Sequence, residues 1–186
     1  MNKIVLITAS LILGSFTIQA QQSSCRKLIS ASKLNSTSTV ENLLKRVNPN
    51  CKYRSGEPRT ALVAASRKGH LKIVKLLVNA KASVNFNANG DETPLIAASA
   101  NNHISIVNYL IKKGAKININ QDSNGTALIA AVKNNNYQVA KILLENGANP
   151  ATISNGDEFA MYHAKANSNK AMITLLNQYK NKNSRN

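Results

Sequence analysis

The sequence predicts an all-α solenoid of about five 33-residue helix–turn–helix units joined by β-turn loops. Three observations point to it. Thr60, Thr93 and Thr126 are 33 residues apart, and Phe159 falls on the next step. Paired alanines keep the same interval at Ala64-Ala65, Ala97-Ala98 and Ala130-Ala131. Apolar pairs then follow at helical spacing: Ile73-Val74 with Leu76-Leu77, Ile106-Val107 with Tyr109-Leu110, Val139-Ala140 with Ile142-Leu143, and Met172-Ile173 with Leu175-Leu176. Self-similarity at a fixed period of this size marks stacked supersecondary units, each too small to bury its apolar face alone.

Residues 1–20 differ from the rest. Lys3 is a short positive n-region, Ile4 to Ile18 is an uncharged and mostly apolar run, and small Ala20 precedes Gln21-Gln22. That layout predicts a cleavable secretory signal peptide, since the apolar run is short for a membrane span. A buried N-terminal helix or an uncleaved anchor is the competing reading. A lipid on Cys25 is disfavoured, because Gln22-Ser23-Ser24 lacks the apolar residue such a site needs. Residues 21–26 read as a short linker.

The repeat region spans 27–180. A divergent N-terminal cap covers 27–59, where Leu28-Ile29, Ala31-Ser32, Val40 and Leu43-Leu44 fall on the apolar or small positions. Clear units follow at 60–92, 93–125 and 126–158, then a C-terminal cap at 159–180. Asn-, Lys- and Ser-rich residues 181–186 read as a disordered tail. Within a unit, the Thr hydroxyl can cap the first helix, and Pro94 suits the first helical position. Gly69 follows that helix where a left-handed residue ends it, and Asn102 and Asn135 take its place later. In the second helix Ile73, Val74, Leu76 and Leu77 are expected inward, with Lys72 and Lys75 outward.

This pattern resembles the ankyrin repeat. The family motif is clearest in Thr93-Pro94-Leu95-Ile96-Ala97-Ala98, His103 and Ile106-Val107, with Gly69-His70 supplying the Gly-His pair and Gly114-Ala115 and Gly147-Ala148 the closing Gly-Ala. There are departures. Val63, Ile96, Ile129 and Tyr162 replace the motif His, Phe159 removes the last capping hydroxyl, and Ser55, Ala88, Gln121 and Ser154 stand near the usual loop Asp. A stack with a thinned polar network between repeats is therefore expected.

Composition narrows the function. The 186 residues carry a formal net charge of +16 from 24 Lys+Arg and 8 Asp+Glu, with 4% aromatics and no Trp. So few rings argue against a base-stacking single-strand platform or a Trp-lined sugar groove. An exported chain does not meet the nucleoid, so nucleic acid is disfavoured as a partner. The charge is uneven: +11 over residues 26–81, −1 over 82–164 and +5 over 165–186.

Catalytic chemistry has little to draw on. His70 and His103 sit on the Gly-His position, where a structural role is the default, and His163 occupies a small-residue site. No Walker loop, His-Glu-x-x-His, Gly-x-Ser-x-Gly or dinucleotide glycine pattern appears. Asp91-Glu92 and Asp157-Glu158 fall in turns. No catalytic residue, metal site or cofactor is expected. Cys25 and Cys51 are the only thiols. In an oxidising compartment an even pair suggests a disulfide, the alternative being two unpaired structural cysteines.

The resemblance implies partner contacts from the loop tips and the ends of the first helices, on the concave side. Here that places Arg59, Arg67 and Lys68 in the second unit, Ala100 and Asn101 in the third, and Lys133 and Asn134 in the fourth, with Asn89, Glu92 and Asp122 at the tips. The expected function is a monomeric, exported (periplasmic or secreted), non-enzymatic protein-binding module. It would take an acidic partner on its concave face and basic N-terminal repeats, as a scaffold, protective or inhibitory protein. The alternative is a binder of polyanions or anionic surfaces, such as membrane or polysaccharide of the cell envelope.

Overall fold

The computed structural model describes residues 19–53, 60–86, 92–121, 125–152 and 159–183. Their helices pair in chain order. Residues 19–33 are helical (α1) and pair with α2 (Thr37–Leu44). Next come α3 (Ala61–Lys68) with α4 (Leu71–Asn79), and α5 (Pro94–Ala100) with α6 (Ile104–Lys112). The last pairs are α7 (Ala127–Lys133) with α8 (Tyr137–Glu145), and α9 (Ala160–Ala166) with α10 (Lys170–Asn183). The first helices α3, α5, α7 and α9 stack on one another, and α2, α4, α6, α8 and α10 form the second layer.

The repeated residues account for this order. Thr60, Thr93 and Thr126 accept from the amides of Val63, Ile96 and Ile129 at 3.2–3.3 Å, each satisfying an orphan donor of its helix. Phe159 makes no side-chain cap, as expected. Gly69, Asn102 and Asn135 hold φ of 80°, 58° and 57°, so each first helix ends in the left-handed region. Gly69 has a second constraint: a Cβ there would lie 2.6 Å from Cε1 of His103. One continuous core runs through the stack. Leu28, Leu62, Leu95 and Leu128 from the first helices meet Val40, Ile73, Ile106 and Leu143 from the second. Each such buried aliphatic side chain contributes about 1.5–3 kcal/mol.

Two boundaries differ from expectation. Residues 21–26, expected as a linker, continue the helix into residue 33, because Cys25 is buried and packs into the core. At the other end α10 runs to Asn183, so residues 181–183 are helical and only 184–186 lie outside the described residues. Residues 1–18 of the expected leader also lie outside them. Among the described residues, no helix is long and apolar enough to cross a membrane.

Candidate partner-binding surface

The polar network between repeats is fuller than expected. His70 and His103 donate from Nε2 to the carbonyls of Lys33 and Arg67, each at 3.1 Å, because a carbonyl can only accept. Asn136 stands on the same step and donates to the Ser99 and Ala100 carbonyls at 2.8 and 3.0 Å. Each reaches back to the carbonyls that end the preceding first helix.

A second set runs through the loops. Asn85 Nδ2 donates to the Gly114 carbonyl at 3.0 Å while its Oδ1 accepts from the Lys116 amide at 2.7 Å. Asn118 does the same to Gly147 and Asn149 at 3.0 and 2.9 Å, and Asn50 to Lys81 and Ser83 at 3.0 and 2.7 Å. These two-ended amide clamps join consecutive units through their loops. The sequence held one signal for them: Asn85 and Asn118 are one period apart.

On this scaffold the ends of α3, α5 and α7 form a row. Lys68, Asn101 and Asn134 are exposed one step apart, with exposed Lys133 and half-buried Ala100 beside them. Asn101 and Asn134 each close their own helix by donating to the Ala97 and Ala130 carbonyls at 2.9 Å. Arg67 and Glu92 are taken up differently. Arg67 Nε donates to Glu92 Oε1 at 2.6 Å and a second guanidinium nitrogen pairs with the same oxygen. Glu92 is 9% exposed and Arg67 30%, so the pair ties the end of α3 to the segment that enters α5. Arg59, Asn89 and Asp122 lie outside the described residues.

The basic end is well exposed. Arg26, Lys27, Lys33, Lys45, Arg46 and Lys52 are open to solvent in the first unit, and Lys68, Lys72, Lys75 and Lys81 in the second. Some of these cations lie against rings. Lys52 Nζ stands 4.7 Å from the Phe86 centroid, and the Arg26 guanidinium 5.6 Å from that of Tyr53. Tyr53 and Phe86 are one period apart, a signal that sequence reading passed over.

Cys25 and Cys51 form a disulfide with Cα atoms 5.8 Å apart. Among the described residues no group of three or more His, Cys, Asp and Glu comes together in a way that could hold a metal ion. His163 is buried with its ring edge-on to Tyr162, in the last unit and far along the chain from the other histidines.

A family model of ankyrin repeats (three copies) matches residues 28–121, and a model of the single ankyrin repeat matches residues 123–155. No curated protein matches the chain.

Proposed function

The chain belongs to the ankyrin repeat family, a family of protein–protein interaction modules, and from that premise we propose an exported, non-enzymatic binder of an acidic partner protein. One observation carries this reading. The exposed row Lys68, Asn101, Lys133 and Asn134 continues into a first pair of units whose exposed charged side chains, among the described residues, are cationic except for Glu41. Long-range attraction would steer an acidic protein to the basic end, and docking would then proceed along the neutral middle. The Cys25–Cys51 bond supports an oxidising compartment, and the apolar run before Gln21 supports export. Scaffolding, protection and inhibition are all served by such a surface.

The test is capture of partners by the chain at low and high salt, repeated with Lys68→Glu and Lys133→Glu. Arg67 is left intact because reversing it would strand the buried Glu92 carboxylate. A stoichiometric protein complex that survives high salt and weakens about tenfold in the double variant is the expected result. Recovery of polyanions or anionic vesicles alone, lost steeply with salt, would sink the reading in favour of a polyanion binder.

A further inference from the structure

The exposed row does not stop at Lys68. Asn35 at φ 59° closes α1 as Gly69 at φ 80° closes α3, which aligns Leu34 with Lys68. Leu34 is therefore the head of the row, and it is 70% exposed, the most exposed large apolar side chain among the described residues.

Leu34 also lines a groove of about 610 Å³ across the open end of the first unit. One wall is Lys27, Ser30 and Ala31 of α1 with Leu34 just past its end; the other is Thr39, Asn42 and Leu43 of α2 with Arg46 just past its end, and Ser36 and Ser38 line it where the chain enters α2. Both sets fall at i, i+3, i+4 and i+7, so the groove is the seam between two helix faces, about two turns long. In the second unit the matching positions Ala61, Ala64 and Ala65 are fully buried. Here Ala31 and Leu43 are buried in the core and form the floor, while Lys27, Ser30, Leu34, Thr39, Asn42 and Arg46 are exposed. Small Ser30 and Ala31 allow a helix to approach closely. Lys27 and Arg46 lie at one end, Leu34 at the other, and no acidic side chain lines the seam.

We propose that this seam seats an acidic amphipathic helix of a partner protein. Its apolar side chains would cover Leu34 and the floor, and its carboxylates would face Lys27 and Arg46. The proposal rests on the acidic-partner reading above and adds where, and in what form, that partner docks. Charge complementarity and continuity with the exposed row select this occupant over a second copy, whose exposed surface is itself strongly basic.

The experiment uses the chain without its apolar leader, as export would leave it, and a labelled designed peptide of about 18 residues, long enough to form a helix, with leucines on one face and glutamates on the other. A lysine-for-glutamate version and a shuffled version serve as controls. Anisotropy should show binding of the Glu peptide, with both controls weaker by about tenfold or more. Leu34→Ser, and Lys27→Glu with Arg46→Glu, should each weaken it about tenfold, and hydrogen exchange should slow over residues 27–46. All these side chains are on the surface, so the variants keep the fold. Equal binding of the shuffled peptide would overturn the proposal, as would no binding at all. Sensitivity to Lys68→Glu and Lys133→Glu alone would also overturn it while leaving the acidic-partner reading standing. That reading fails separately if a captured partner ignores the cations of both surfaces.

Discussion

Among the described residues, the first unit and the fifth each stack on a neighbour on one side only, yet they are held differently. The first is bonded to itself through Cys25–Cys51 and to the second unit through the Asn50 clamp and the His70 contact with Lys33. The fifth has Phe159 where the earlier units have a capping Thr, and Ala151 stands one period after Asn118, where a clamp would be. Its main polar tie backwards is Asn167, which donates to the Val132 and Lys133 carbonyls at 3.4 and 3.2 Å. Asn169, on the step of His70, His103 and Asn136, accepts from the Met172 amide of its own helix at 3.0 Å and donates back to Oδ1 of Asn135 at 3.2 Å, a side chain rather than a helix-ending carbonyl. Tyr162, on the step of the buried Val63, Ile96 and Ile129, is 54% exposed. In a stack whose stability sums over units and junctions, such a difference sets which end opens first. The basic end, where we propose that the partner lands, is the tied one, and fraying is expected at the end remote from it.

The largest test removes the tie. Cys25→Ser with Cys51→Ser should cost about 3 kcal/mol for a loop of this size. Denaturant unfolding reads the loss, and native-state hydrogen exchange should show faster opening of residues 19–53. An unchanged unfolding midpoint on reduction of the parent chain would show that the bond does not stabilise the first unit.

Breaking a clamp is next. Asn118→Ala leaves the Gly147 carbonyl and Asn149 amide to solvent and should cost about 1.5 kcal/mol. Asn85→Ala, at the junction before it, should cost about the same. If both leave chemical denaturation unmoved, the clamps are incidental to stability.

Caps follow, at about 1 kcal/mol each. Thr126→Ala should destabilise and Phe159→Thr stabilise. The second should slow exchange in α9 and α10, which narrows the difference between the ends. Faster exchange there would mean that the Phe159 ring matters more than a cap.

The smallest effect lies at the centre. Ser99 is fully buried, and its hydroxyl finds no partner among the described residues; Val132 occupies the same step in the next unit. Ser99→Ala should raise stability by about 0.5 kcal/mol, through a relieved buried polar group and better helix propensity. Neither end should change relative to the other.

Much of the fold was legible because the period repeats the same local physics. A Thr before an apolar run, paired alanines and a left-handed Gly or Asn each point to one conformation, and the capping and φ values follow. The helical residues 21–26 were not legible, because Gln-Gln-Ser-Ser has a turn-like composition and it is the burial of Cys25 that holds the segment. The Arg67–Glu92 pair was hidden because it joins residues 25 apart within one unit, and each alone reads as a surface charge. The clamps were hidden because an Asn in a loop reads as a turn residue until its two partners in the next unit are placed. The seam escaped notice because its walls are hydroxyls and single cations, which only their helical spacing unites.

The Asn clamps have a consequence for how long such a chain can be. Asn85 grips the unit after it with the same two atoms, on the same two backbone groups, that Asn118 uses one period later. Excising residues 93–125 would bring Asn85 opposite the Gly147 carbonyl and the Asn149 amide, and the junction would close without a new contact having to evolve. Duplicating the same stretch would create one more junction of the same kind. The middle of the stack is thus free to lengthen or shorten by whole modules, while the bonded first unit stays unique.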